Sequence, residues 1–314
     1  MNDPLNSAEA FYDINGEWTT MTALRSIGGM GSLNVIRQRL TFIGGRGNQG
    51  ATSSIHVYNH QTGWHLTNLL MTTAKSGHVS QVAKVGQISI NGLEQPNIMV
   101  AFGQSSLGQT PASEIICMSQ RSNFFDTYCS TDEAIDDIHQ SYGSFLLPYP
   151  EMVLSCGGLV EGEVTTDCYS LNPSSITWQL SEQISLLNKR HLAAIAKTPQ
   201  GDWVISGGFT GEPTPHSHPS TMTVEMINVR KHQFEKDLNF PVAQHCLVHY
   251  HCYYFFYAGG TGVFSDIAVP SAQYHHFKTG NYHVLEPMKV ARANHVCFAI
   301  PGPGKKRRVT TDGS

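Results

Sequence analysis

The chain has 314 residues, 40% of them hydrophobic and 14% charged, with a formal net charge of −4 and a pI near 6.4. That composition excludes a disordered chain and a general basic field for nucleic acid. No apolar run approaches the roughly 18 residues of a membrane span. The 29 glycines and 15 prolines are scattered as turn punctuation, which suits many short strands.

In chain order, the first element is Ala8-Glu9-Ala10-Phe11-Tyr12-Asp13, with Trp18 following Tyr12. This reads as the second half of a module that lacks its first half. Met21 then precedes Arg25, and an apolar strand ends in a glycine pair at Leu40-Thr41-Phe42-Ile43-Gly44-Gly45. The device returns at Ile98-Met99-Val100-Ala101-Phe102-Gly103-Gln104, weakened by Gln104. It returns again at Met152-Val153-Leu154-Ser155-Cys156-Gly157-Gly158, at Trp203-Val204-Ile205-Ser206-Gly207-Gly208, and at Tyr254-Phe255-Phe256-Tyr257-Ala258-Gly259-Gly260. The copies fall about 50 to 59 residues apart, the spacing of a repeat architecture.

After each glycine marker comes a polar loop, then an alternating apolar segment, a turn and an aromatic residue. These aromatics are Trp64, Phe124 or Phe125, Trp178, Phe234 and Tyr282. Period-two alternation marks half-buried strands, and each aromatic is expected to supply apolar surface at the same place in its module. A basic connector precedes most modules: Met71 with Lys75 and His78, Met288 with Arg292 and His295, and more loosely Leu187 with Arg190-His191. A four-stranded module cannot bury both its faces, whereas radial stacking buries them and leaves few open edges. The stretch 130–140, with four acidic residues, is expected to form a helical turn or an acidic loop.

These residues resemble the kelch family, whose pattern is an apolar strand ending in Gly-Gly, a Tyr, a Trp six or seven residues on, and a Met-x-x-x-Arg-x-x-His connector. Tyr58 with Trp64, Leu171 with Trp178 and Ile227 with Phe234 keep that spacing. Met118 in place of Tyr, Gln104 and the insertion at 87–96 depart from it. The resemblance implies an all-β, six-bladed β-propeller, one domain over residues 1–314. Its last blade would close with strands from both termini: 8–13 and Trp18 from one end, 295–300 and 307–313 from the other.

Function is less specified. The resemblance implies a protein–protein interaction module, in some relatives the substrate-recognition part of a larger assembly such as a ubiquitin ligase. The alternative is a small-molecule enzyme with its site at the channel mouth, like the sialic-acid epimerases or the galactose-oxidase copper enzymes that share this fold. Glu161, Glu163 and Glu212 are loop carboxylates, and Arg25, Arg190 and Arg292 recur between modules. The reading favoured for these arginines is structural, since they recur because the repeat recurs. No metal, cofactor or catalytic set is assigned. His249 with His251, Tyr250-His251 and Tyr274-His275 show no third ligand by spacing.

A protein partner is expected on the face that carries the connectors and the loops after Gly-Gly, through Arg25, Arg46, Glu161, Glu163, Arg190, Phe209, Glu212, Phe264 and Arg292. Neither nucleic acid nor membrane is expected as a partner. Lys305, Lys306, Arg307 and Arg308 read as a solvated tail. Seven cysteines, with no Cys-x-x-Cys, and an N-terminus without a secretory pattern lead to the expectation of a cytoplasmic protein. Cys156 and Cys168 are within geometric reach of a disulfide but are expected to be free buried thiols.

Overall fold

The computed structural model describes residues 8–12, 15–24, 29–36, 39–59, 61–83, 89–90, 93–94, 97–105, 113–117, 130–131, 141–149, 152–172, 177–211, 219–228, 232–251, 253–262 and 267–299. An N-terminal hairpin, β1 (Ala8–Tyr12) and β2 (Glu17–Met21), is followed by five antiparallel meanders. The first is β3 (Ser32–Ile36), β4 (Arg39–Ile43), β5 (Gly50–Asn59) and β6 (Gly63–Lys75). The second is β7 (Val79–Ala83), β8 (Asn97–Ala101), β9 (Ser113–Cys117) and β10 (Ser130–Thr131). The third is β11 (Phe145–Pro148), β12 (Val153–Cys156), β13 (Asp167–Asn172) and β14 (Thr177–Ser185). The fourth is β15 (Ala194–Lys197), β16 (Trp203–Ser206), β17 (Val224–Ile227) and β18 (His232–Phe234). The fifth is β19 (Cys246–His251), β20 (Tyr254–Ala258), β21 (Ala272–His276) and β22 (Tyr282–Val284).

In every meander the strand that ends at the glycine marker lies second, between the innermost and third strands. Buried on both faces, these second strands are almost wholly apolar: Ile98, Met99 and Val100 are fully buried, as are Leu154 and Ile205. Apolar clusters join neighbouring sheets. Leu147 and Leu154 of the third meander pack with Trp203 and Ile205 of the fourth, and Val204 and Met226 of the fourth pack with Phe255 and Tyr257 of the fifth. Among the described residues the architecture is a β-propeller of five four-stranded blades.

The expected sixth blade is corrected. The N-terminal hairpin is present, but among the described residues it is a sheet of two strands only. Residues 295–299 join no ladder with any described strand, and 307–313 lies outside the described residues. A second correction concerns 130–140: Ser130–Thr131 pair with β9 as a short strand, and 132–140 lies outside the described residues. The recurrent aromatic is also less uniform than its spacing suggested. Trp178 is 2% exposed, whereas Phe234 and Tyr282 are half exposed, because β18 and β22 are three-residue strands at the rim.

The cysteine expectation is overturned as well. Cys156 and Cys168 face each other across the β12–β13 ladder and are disulfide-bonded, and Cys246 of β19 is bonded to Cys297. The premise of unpaired thiols behind the expected reducing compartment is therefore removed. Among the described residues no helix is long and apolar enough to cross a membrane.

Candidate functional site: the connector face of the channel

Strand direction alternates, so the connector into each blade and the loop after its second strand emerge on one face. A repeated backbone bridge ties the two together. Ser76 and Gln104 exchange N–H···O bonds of 2.9 and 2.8 Å, as do His191 with Phe209 (3.0 and 2.9 Å), Ala243 with Thr261 (3.1 and 2.9 Å), and Tyr142 with Leu159 (3.1 and 2.8 Å). The Arg46 N–H donates to Gly29 O at 2.8 Å. Each recognition-length loop is thereby rooted on the connector of its own blade.

One residue further along, the connectors bond to one another. Gly77 N–H donates to Met30 O (2.8 Å), Gly143 to Gly77 (3.4 Å), Leu192 to Gly143 (2.8 Å), Gln244 to Leu192 (3.0 Å), Asn294 to Gln244 (2.9 Å), and Met30 to Asn294 (3.1 Å). These six bonds form a closed ring around the channel, with one residue from the connector into each of the five blades and the sixth, Asn294, from the segment that follows the fifth blade. All six residues adopt left-handed φ between 52° and 70°. Only two are glycine, so the other four hold a conformation that side chains disfavour. At Gly77 even an added Cβ would lie 2.2 Å from the Tyr142 ring. Below the ring lies a cavity of about 240 Å³, lined in part by Ser32, His78, Ser144, His245 and His295.

The connector cations do not face this cavity as free charges. Arg190 is fully buried and ion-paired with Glu225 on β17. Its guanidinium also donates to Gly207 O (2.8 Å), Thr223 O (3.2 Å) and Thr223 Oγ1 (2.8 Å). Glu225 accepts in addition from the Leu187 and Asn188 N–H groups and from His232 Nε2. Burial alone would raise the Glu225 pKa, but the His232 hydrogen bond, the Arg190 charge and the two N–H donors outweigh it and hold the carboxyl below its usual range.

The same strut recurs elsewhere. Lys75 pairs with Glu114 on β9 at 3.5 Å, and the Thr72 N–H donates to that carboxylate at 2.8 Å. Arg292 pairs with Glu9 on β1 at 2.9 Å, and the Lys289 N–H donates to it at 3.1 Å. In the fifth blade Val242 takes the cation's place, and an amide pair, Asn239 with Gln273, takes the carboxylate's role (2.6 and 3.3 Å). Sequence spacing missed the three glutamates. Their signal is a lone carboxylate near the start of a third strand, at a variable distance from the glycine marker.

The connector histidines are also built in. His78 bonds Ser32 Oγ at 2.9 Å, and His245 bonds Ser206 Oγ at 2.8 Å. Burial first, then Lys75 for His78 and His295 with Arg190 for His245, pushes both down to about 3. Both rings are neutral at pH 7. Among the described residues no three His, Cys, Asp or Glu side chains gather as a metal-binding group. Tyr250 and Tyr274 stack at 4.3 Å. His275 is buried with Nε2 3.2 Å from Lys236 O, on the opposite side of its strand from Tyr274, so that Tyr-His pair does not converge.

The anticipated partner-binding residues separate into three groups. Arg46, Glu161 and Glu163 are exposed on this face, the last two in a tight hairpin formed by Leu159–Val160 and Glu163–Val164. Arg190, Arg292 and Phe209 are buried. The bridge to His191 draws Phe209 inward, where its ring packs on the His191 ring at 5.4 Å. Arg25, Glu212 and Phe264 lie outside the described residues. Two exposed apolar residues were not singled out from the sequence: Met222, 42% exposed, and Ile267, 69% exposed, each at the end of a loop after Gly-Gly.

No family model matches the chain. No curated protein matches it either. Among solved structures it is similar to YjhT, with 12% identity and a TM-score of 0.61 over 86% of this chain and 88% of that one. At such identity the likeness concerns the fold alone.

Proposed function

We propose that this chain is a kelch-type recognition scaffold that binds a protein partner across the connector face of its channel. The observation that carries the reading is the division of polar groups on that face. Arg190 and Arg292 are committed to blade struts, while Arg46, Glu161 and Glu163 stand exposed on loops rooted in a hydrogen-bonded ring. Exposed Met222 and Ile267 add apolar anchors between charges of both signs. Rigidly presented loops with mixed anchors favour recognition at low ordering cost. The kelch assignment is supported by the Tyr58–Trp64 and Leu171–Trp178 spacings and by the repeated Met/Leu-x-x-x-Arg/Lys connector.

The test is substitution of Arg46, Glu161 and Ile267 by alanine. Each is expected to weaken capture of the partner without lowering the melting temperature, while Gln61→Ala on the opposite face leaves capture unchanged. Retained capture in the triple variant overturns the reading.

A further inference from the structure

Beneath the ring of connector residues a second contact repeats. The residue two places after one ring member associates with the residue three places after the next. Between the first and second blades these are Ser32 and Ser80, joined through their hydroxyls by a hydrogen bond. At the next three junctions Val79 with Leu146, Phe145 with Ile195, and Ala194 with Leu247 each share an apolar cluster. The pair at the same offsets from Gln244 and Asn294 is Cys246 with Cys297, and it is a disulfide. This junction is covalent where the four before it in the chain are not.

The two disulfides among the described residues differ in access. Cys156 and Cys168 are 0% exposed, inside one blade, in a cluster with Phe145, Trp203 and Ile205. Cys297 is only partly buried, and Cys246 and Cys297 both line the channel cavity. Exchange needs a path for the attacking thiolate, so the channel pair is the one that a soluble dithiol reaches. The two also differ in what they hold. The 156–168 bond cross-links strands that already share a ladder. The 246–297 bond ties β19 to the segment 294–297, whose Asn294 N–H donates to Gln244 O at 2.9 Å. Asn294 O in turn accepts the Met30 N–H (3.1 Å), and Gly29 O accepts the Arg46 N–H (2.8 Å), so this segment backs the base of the Arg46 loop.

We infer that Cys246–Cys297 is a redox-operated clamp on the channel ring: a dithiol opens it from the channel, and opening loosens Asn294, Met30 and the base of the Arg46 loop while the blades stay folded. In the exchange one thiolate of the dithiol bonds to a sulfur of the pair, and the other cysteine leaves as a thiolate and takes a proton. The second thiolate of the dithiol then displaces the cysteine still bound. The protein gains two electrons and two protons as two thiols, and the dithiol becomes a disulfide. The response is local, because the bonds from Leu192 to Gly143 and from Gly143 to Gly77 lie across the ring from Asn294. Its effect on a partner rests on the connector-face reading; the clamp itself does not, and it is tested without a partner.

The probe is dithiothreitol. The full chain is oxidised with oxidised glutathione, and thiols that stay free are blocked with N-ethylmaleimide. It is then equilibrated at graded ratios of reduced to oxidised dithiothreitol, and new thiols are labelled and mapped by mass spectrometry. The account expects label at Cys246 and Cys297 while Cys156 and Cys168 remain linked. In that state amide exchange is expected to be about tenfold faster or more at Met30, Arg46 and Asn294, and within about twofold of the oxidised rate at Leu154 and Leu192. Reoxidation is expected to restore the slow rates. Opening of 156–168 before or together with 246–297 overturns the proposal. Faster exchange throughout, Leu154 included, also overturns it, since the bond is then a staple of the whole fold. Unchanged exchange at Met30 and Arg46 once 246–297 is open does the same, as does a chain with no 246–297 linkage after oxidation.

Discussion

Glu225→Ala is the sharpest perturbation of the strut account. Among the described residues it removes the only carboxylate hydrogen-bonded to the fully buried Arg190 guanidinium, leaving three neutral oxygens in contact with a cation that cannot shed its proton, and Asp237 as a more distant charge. Breaking a buried pair from one side costs about 3–5 kcal/mol. The orphaned Leu187 and Asn188 N–H groups add about 1 kcal/mol at most, because they lie at the surface where water replaces the acceptor. Against a total stability of roughly 5–15 kcal/mol, this is a third of the fold or more. The double variant Arg190→Met, Glu225→Leu removes both charges and is expected to cost less than either single change, the behaviour of a buried pair replaced by apolar groups. Urea unfolding followed by tryptophan fluorescence measures all three, with the exposed Glu161→Ala as a control expected within about 0.5 kcal/mol of wild type. If Glu225→Ala costs under about 1 kcal/mol, or the double variant costs the sum of the singles, the strut is not what holds the connector.

Two further outcomes follow from the same architecture. His78 and His245 are held at about 3 in the fold, against roughly 6.5 unfolded, so the unfolded chain binds more protons between those values. Their contribution is complete above about pH 6.5 and is lost as pH falls, by about 2 kcal/mol each at pH 5. Glu225 loses its contribution only at lower pH, below its unfolded value of about 4.3. The melting temperature is therefore expected to fall between pH 7 and 5, and His78→Gln with His245→Gln to flatten that slope; a flat wild-type profile refutes the burial assigned to these rings. Cys246→Ser opens a cross-link spanning 51 residues, with an expected loss of about 4 kcal/mol by the chain-entropy model. Non-reducing peptide mapping that finds no 246–297 linkage removes the basis for that figure.

The glycine-marked strands were legible because burial on both faces leaves a largely apolar run, broken inside only by the small hydroxyl residues Thr41, Ser155 and Ser206, and the close approach behind the second glycine excludes a side chain. At Gly45 an added Cβ would lie 2.8 Å from Gly29 O. The connector cations were legible as a repeat but not as struts, since their glutamates sit one strand away across a loop of variable length. Phe209 was read as a loop aromatic because it follows Gly-Gly; the bridge to His191 that buries it is a backbone contact with no signature in side-chain type. The blade count was misjudged for a similar reason. Asn294 and Glu9 carry the marks of a sixth unit, but among the described residues no second strand accompanies them.

The claim that the connector face is the recognition surface is tested most directly by placing a photo-crosslinking residue at position 161, at 267, or at Gln61 in the exposed turn on the opposite face. The account predicts one polypeptide joined from positions 161 and 267 and none from 61. Cross-links from 61 alone would contradict it.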